Sequence, residues 1–376
     1  MNIRISVISV ALLATIYIAG CGRAGVLEDP IIEDLGTLGG DGSFANGINN
    51  FGSVTGASFL AGSPVVTHAF RYVDGQGMVD VGTPVPGAQS IGMKINNGGL
   101  ICGGYVDVNG FNGAFIASAA LNLTSLDGPH INDAWAWDVN DRGQIIGETS
   151  EGFSPPRATL WTSATERQDL GTLGGTFSVG RGINETGQVA GYSGTRNDTT
   201  SLAFRYTSSV GMVSLGTLGG PSSHGYGIND TGRVVGESDT VELHHGKRSA
   251  PGITTDRTVH AFLWTEGVGM ADLGALSGNS SIFGRGNSTA MAINNNSVVV
   301  GFSTLGPMEG GTKHAFRWTK EEGMIDLNTL LPIGSGWVLT EAIDINDKGA
   351  ITGTGLHNGK RRAFRMFHHP VGVVKA

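Results

Sequence analysis

One motif recurs seven times along this chain at a period of roughly 45 residues, and periods in that range belong to arrays of stacked supersecondary units. Three blocks return in fixed order. The first is a small residue followed four positions later by asparagine, at Ala45/Asn49, Gly92/Asn96, Ala136/Asn140, Gly180/Asn184, Gly225/Asn229, Ala290/Asn294 and Ala342/Asn346. The second is a turn leading into a short strand that contains a glycine, at Gly56, Gly103, Gly147, Gly191, Gly236, Gly301 and Gly353. The third is a strand of the HAFLW type followed by one of the DLGTLGG type, anchored on Ala69, Ala114, Ala158, Ala203, Ala261, Ala315 and Ala363.

The chemistry of the blocks predicts four strands per repeat. Asn229-Asp230-Thr231-Gly232 suits a type I turn closed by a left-handed glycine, and Gly52, Gly99, Gly143, Gly187 and Gly349 hold the same place. Ser297 replaces that glycine in the sixth copy, at some cost to the turn. A four-residue turn after the third strand would set Arg71 opposite Asp80 and Arg317 opposite Asp326. Such strands are apolar on both faces, so no repeat is stable alone and each must stack on its neighbours.

These features predict an all-β chain: a seven-bladed β-propeller of four-stranded antiparallel blades, with the small residues placed where inner strands crowd the central axis. A parallel β-solenoid is the alternative, though its rungs are shorter and need no hairpins. There are eight candidates for an outermost strand and seven blades, so residues 32–38 (IEDLGTL) are expected to complete the last blade beside Phe364. The propeller then occupies residues 32–376.

The repeat resembles the HAF family of extracellular bacterial repeats, through the intact triplets His68-Ala69-Phe70, His260-Ala261-Phe262 and His314-Ala315-Phe316. The resemblance spans residues 33–366 and implies an extracellular setting without an activity. The third copy departs from it, with Arg157-Ala158-Thr159 in the triplet's place, which predicts weaker stacking there.

The N-terminus reads as an address. A single cation precedes the apolar run at residues 5–18, too short for a standard membrane span, so residues 1–20 are expected to be a signal peptide. Ile18-Ala19-Gly20-Cys21 resembles the lipobox of bacterial lipoproteins, which implies lipid attachment at Cys21, a tether over residues 21–31 and membrane association through that anchor. In that class, Gly22 after the cysteine favours the outer membrane or cell surface. The only other cysteine, Cys102, lies in an apolar strand and is expected to be a buried hydrophobe, so no disulfide is predicted. A net charge of −8 with no basic stripe argues against nucleic acid as a partner.

Local signatures of metalloproteases, serine hydrolases, nucleotide sites and zinc sites are absent, and neither a catalytic residue, a metal nor a cofactor is assigned. The inner strands carry Lys94, Asp138, Arg181, His224, Glu341 and Asp344, which differ from copy to copy. Function is better sought where copies deviate. Asparagine spacing is 44 to 47 residues through the first five copies and then 65 and 52. The extra residues, 239–259, 277–288 and 305–313, are predicted to rise on one face as a rim. Within it His244, His245, Lys247 and Arg248 form a basic, imidazole-bearing cluster; with His224 they are the ligand-binding candidates. The expected function is a monomeric, lipid-anchored binding or scaffold propeller at the bacterial envelope, with a glycan or protein ligand. An exported hydrolase or lyase of polysaccharide or peptide, using carboxylates such as Asp138 and Asp344, is the alternative.

Overall fold

The computed structural model describes residues 30–63, 65–126, 131–240, 258–276, 286–305 and 312–367. Cys21 and its leader, and the cluster of His244, His245, Lys247 and Arg248, lie outside these residues. Seven four-stranded antiparallel sheets follow one another around an axis, which makes the chain a seven-bladed propeller. The inner strands are Gly39–Ile48, Gln89–Ile95, Ile131–Val139, Gly174–Ile183, Gly219–Ile228, Ser288–Ile293 and Trp337–Ile345.

The ring closes as the strand count requires. Ile31–Asp34 is the outer strand of blade seven and pairs antiparallel with Lys360–Phe367, from Ile31 opposite Phe367 to Asp34 opposite Phe364. Arg365, buried in that partner strand, donates to Glu33 at 2.6 Å, to Asp74 of blade one at 2.5 Å and to the Gly52 carbonyl at 2.6 Å. One guanidinium therefore holds together the N-terminal strand, the last blade and the first.

The core lies between blades rather than within them. Each apolar cluster draws on two neighbours; one, for example, joins Val235, Ala261 and Leu273 of blade five to Ala290, Ile293, Val299 and Phe316 of blade six. Phe70, Phe115, Phe204, Phe262, Phe316 and Phe364 are all fully buried. At about 1.5–3 kcal/mol each, these six side chains favour stacking strongly. In blade three Thr159 takes the phenylalanine's place, bonded to Thr149 at 2.8 Å, and the fully buried Trp161 fills space nearby.

Seven invariant glycines follow from a bulge. The inner strand shifts register in every blade beside its small residue. That shift presses its carbonyl so close to the second strand that a Cβ on Gly56, Gly103, Gly147, Gly191, Gly236, Gly301 or Gly353 would lie 1.8–2.1 Å from the oxygen. The small leading residue has a different cause from the axial crowding expected. A Cβ on Gly92 would meet Thr55 Oγ1 at 2.1 Å, and one on Gly180 would meet Ile146 Cγ1 at 2.4 Å, so the neighbouring blade sets that limit. Close approach of inner strands occurs two positions later, where a Cβ on Gly47 would sit 2.8 Å from Lys94 Cα.

The hairpin register corrects one expectation. Thr319 pairs with Gly323 and Val73 with Gly77, leaving three-residue loops where four were expected. Arg71 consequently faces Val79 and Arg317 faces Ile325, and the triplet histidines take the aspartates instead. His68 contacts Asp80 at 3.0 Å, His260 contacts Asp272 at 2.9 Å and His314 contacts Asp326 at 2.6 Å; Arg157 does the same for Asp169. The triplet histidine is thus a cross-strand partner within its blade.

Candidate functional site

At one end of the axis, the repeat asparagines form a closed circle of hydrogen bonds. Each Nδ2 donates to the backbone carbonyl of the next blade's asparagine at 2.9–3.1 Å, from Asn49 through Asn96, Asn140, Asn184, Asn229, Asn294 and Asn346 back to Asn49. Each Oδ1 accepts the amide four residues on, tying down the turn that follows. A second circle lies beside it. There the amide of Asn50, Asn97, Asp141, Glu185, Asp230, Asn295 or Asp347 donates to the side chain of the next member at 2.7–2.9 Å. Burial, with Asp141 and Asp230 alongside, holds the Glu185 carboxyl above its usual range. No cluster of three or more His, Cys, Asp or Glu suited to a metal ion occurs among the described residues.

Behind the asparagines stand Ile48, Ile95, Val139, Ile183, Ile228, Ile293 and Ile345, and these rings enclose a cavity of about 230 Å³. Three charges interrupt the wall beyond them. Lys94 Nζ meets Asp344 at 2.7 Å, and Asp344 also accepts the Ile48 amide at 2.8 Å. Asp138 accepts the amides of Ile183 and of its own neighbour Val139. Burial pushes the Asp138 carboxyl up to about 6. Burial opposes the charge on Lys94, but Asp344 and Asp138 outweigh it and push the ammonium up to about 12. Both carboxylates named as a candidate hydrolytic pair are therefore engaged in holding neighbouring blades together.

Further from the asparagines, all seven blades line a second cavity of about 120 Å³, to which Lys94, Asp138 and Asp344 contribute together with Trp137, Arg181 and Tyr226 of blades three to five. The Arg181 guanidinium carbon lies 3.6 Å from the Trp137 ring centroid and 5.4 Å from that of Tyr226. Among the described residues Arg181 has no direct hydrogen bond and no ion pair; besides the two rings, the Glu148 and Glu237 carboxylates attract it from a distance. Its side chain is deep but half-buried, because it borders the cavity, and desolvation lowers its affinity for the proton. Glu148, raised by burial, is held by the Trp137 indole at 3.3 Å.

Beside Tyr226 runs a chain of side chains from two blades. Ser201 Oγ lies 2.7 Å from His224 Nε2, and His224 Nδ1 lies 3.2 Å from Glu237 Oε1. The Tyr192 ring packs on the imidazole at 4.5 Å. Glu237 also accepts the Tyr226 hydroxyl at 2.9 Å and the Thr289 hydroxyl at 2.7 Å. Burial would raise its carboxyl, but His224, Thr289 and Tyr226 together hold it below the usual range.

The residues singled out by sequence thus separate. Arg181 and His224 come together in one cleft with Trp137, Tyr192 and Tyr226. Glu341 is taken by Lys313 at 2.7 Å on another blade, and Cys102 is buried, with its thiol pushed up by desolvation. Ser201 and Glu237 went unnoticed because neither departs from the repeat's ordinary polar vocabulary on its own. The available signal was an acidic residue directly after the invariant glycine, which occurs only at Glu148 and Glu237.

Residues flanking the three insertions meet at Asn287. Its Oδ1 accepts the Val259 amide at 2.8 Å, its carbonyl accepts the Thr304 amide at 2.9 Å, and its amide donates to Thr304 Oγ1 at 3.0 Å. Each of those strand ends lies away from the asparagine turns, on the face nearer Ser201.

No protein-family model matches the sequence, and no curated protein matches it. The fold does have solved counterparts. The crystal structure of puromycin hydrolase is similar to this chain at 12% identity with a TM-score of 0.52, over 87% of this chain and 54% of that one. A mutant of puromycin hydrolase complexed with PGG is similar at 11% identity with a TM-score of 0.51, over 88% and 55%. This chain spans about half the length of those proteins, and at such identity the likeness concerns the propeller alone.

Proposed function

We propose that the chain is a binding propeller that takes up a small anionic molecule on the face opposite the asparagine ring. Arg181 carries this reading. A guanidinium offers five donors, and those of Arg181 reach no acceptor among the described residues, so they are free for one that enters the cavity. Trp137 and Tyr226 hold it flat while its donors border open space, an arrangement that suits a carboxylate or phosphate head. Calorimetric titration of the full chain with glucuronate, glucose 6-phosphate and glucose tests it. One or both anions should bind and glucose should not, and Arg181→Met should abolish the signal. Equal affinity in the variant, or binding of none of the three, overturns the proposal.

Two further elements belong to the same reading. His244, His245, Lys247 and Arg248 would supply a second set of contacts to an envelope glycan or protein, because the strands flanking their segment end on the face that Arg181 serves. A variant lacking residues 239–259 that binds as well as the parent removes that part. Membership in the HAF repeat family and a lipid anchor at Cys21 would put this face at the bacterial outer membrane or cell surface. Metabolic labelling with palmitate, compared between the parent and Cys21→Ser, tests the anchor.

A further inference from the structure

We infer that Ser201, His224 and Glu237 form an acyl-transfer relay that hydrolyses small carboxylic esters. Nucleophilic serine chemistry needs a base within hydrogen-bond reach of the hydroxyl and a third group that fixes the tautomer of that base. Both requirements are met, by Ser201 Oγ to His224 Nε2 at 2.7 Å and His224 Nδ1 to Glu237 at 3.2 Å, and Glu237 is fixed in turn by Tyr226 and Thr289. Tyr192 packs against the imidazole, so its orientation is set on a second side. Ser201 begins the third strand of blade four, while His224 and Glu237 face each other on the first two strands of blade five. A relay assembled across blades leaves no local motif in the sequence.

The fold does not require this chain of contacts. Other junctions fill the equivalent place differently, Arg361 lying over Phe44 at 5.2 Å and Lys313 meeting Glu341 at 2.7 Å. None of those pairs joins a hydroxyl to an imidazole. Ser201 and His224 are also only half-buried, so a substrate carbonyl has access.

The chemistry balances with water as the one co-reactant. Ser201 Oγ attacks the ester carbonyl carbon and passes its proton to His224 Nε2. The carbon–oxygen bond to the alcohol breaks, and the alcohol leaves with that proton. Water then gives a proton to His224 and adds to the acyl carbon, and the bond to Ser201 breaks to release the carboxylic acid and restore the hydroxyl. Ser201 and His224 are catalytic residues in this scheme; Glu237 is a positioning residue.

The test uses the full chain, p-nitrophenyl acetate and a fluorophosphonate. The fluorophosphonate should label Ser201, identified by peptide mass, and the labelling should vanish in His224→Gln. Ester hydrolysis should fall roughly 10³-fold in Ser201→Ala, and Glu237→Gln should lower kcat by on the order of 10²-fold with KM unchanged. Thermal melts keep misfolded variants from being misread, and Ser201→Ala is mild enough to leave the blade intact. The relay is distinct from the anion site in its contacts, since none of the hydrogen bonds that join Ser201, His224 and Glu237 involves Arg181. Hydrolysis that survives in Ser201→Ala, or an absence of adduct on Ser201 in the folded parent, overturns the inference.

Discussion

The two ends of the central axis are built on opposite rules. At the asparagine end all seven blades do the same thing, and each amide passes its hydrogen bond to the next until the circle returns to Asn49. At the other end blades three to five present Trp137, Arg181 and Tyr226 at one register position and Trp135, Val179 and His224 at another. Nothing is left over in the first region. In the second, a guanidinium has no hydrogen-bond acceptor among the described residues and a serine is aimed at an imidazole. Residues whose polar groups are saturated by identical neighbours serve the ring; those left unsaturated, and different in each blade, are available for something the ring does not supply.

Substitutions test that contrast from its strongest side first. Gly236→Ala should destabilise the chain by at least about 3 kcal/mol, because the new methyl must displace the His224 carbonyl, 1.9 Å from its position. Denaturant melts measure it, and a cost near zero would mean the bulge is not rigid. Asn229→Ala should follow at about 2–4 kcal/mol, since it strands the Thr231 and Arg233 amides and takes from the Asn294 carbonyl one of its two donors, leaving the Ser297 amide.

The charged wall between the two ends should show itself through pH. The folded Asp138 carboxyl sits at about 6 against 3.8 when unperturbed, so the native state binds more protons than the unfolded chain between those values. Its favourable contribution is complete below about 4 and disappears as pH rises through 6, a change of roughly 2–3 kcal/mol. Asp138→Asn keeps an acceptor for Ile183 and should flatten that part of the stability curve. Glu237, shifted the other way, then governs what remains, with stability lost as pH falls. The smallest effect belongs to the open end: Arg181→Met should change stability by no more than about 0.5 kcal/mol, or raise it, because no hydrogen bond is broken and a desolvated charge is removed. A loss as large as that of Asn229→Ala would erase the distinction between the two ends.

Most of the ring is legible in the sequence, because its determinants are copied. Seven asparagines, seven glycines and six phenylalanines leave a periodic trace, and the surplus strand expected at residues 32–38 pointed to its own partner, though it pairs there only over Ile31–Asp34 and Leu38 already bridges to Leu60 of blade one. Register was harder. A three-residue loop differs from a four-residue one by a single position, and that one position moved Asp80 from Arg71 to His68. The cleft was only half legible: Arg181 and His224 stood out as polar residues on inner strands, whereas Ser201 and Glu237 gain meaning only when blades four and five are brought side by side. Lys94, Asp138 and Asp344 looked equally eligible from sequence and proved to be fastened to other inner strands, Asp138 and Asp344 to those of the next blade and Lys94 to Asp344 across blade one.

The clasp between Ile31–Asp34 and Lys360–Phe367 also has a consequence in time. A chain made from its N-terminus produces this strand first and its partner last, since Glu33 waits for Arg365, 332 residues later. At ~5–20 residues per second, that interval is roughly 15–60 s on the ribosome. Blades one to six can assemble as they emerge, while the opening strand keeps an unpaired edge that any other strand could template on. Premature termination would leave that edge bare for good. Completing the circle therefore marks a finished propeller, and one cut short before Lys360 carries two raw borders by which proteases and chaperones can tell it apart.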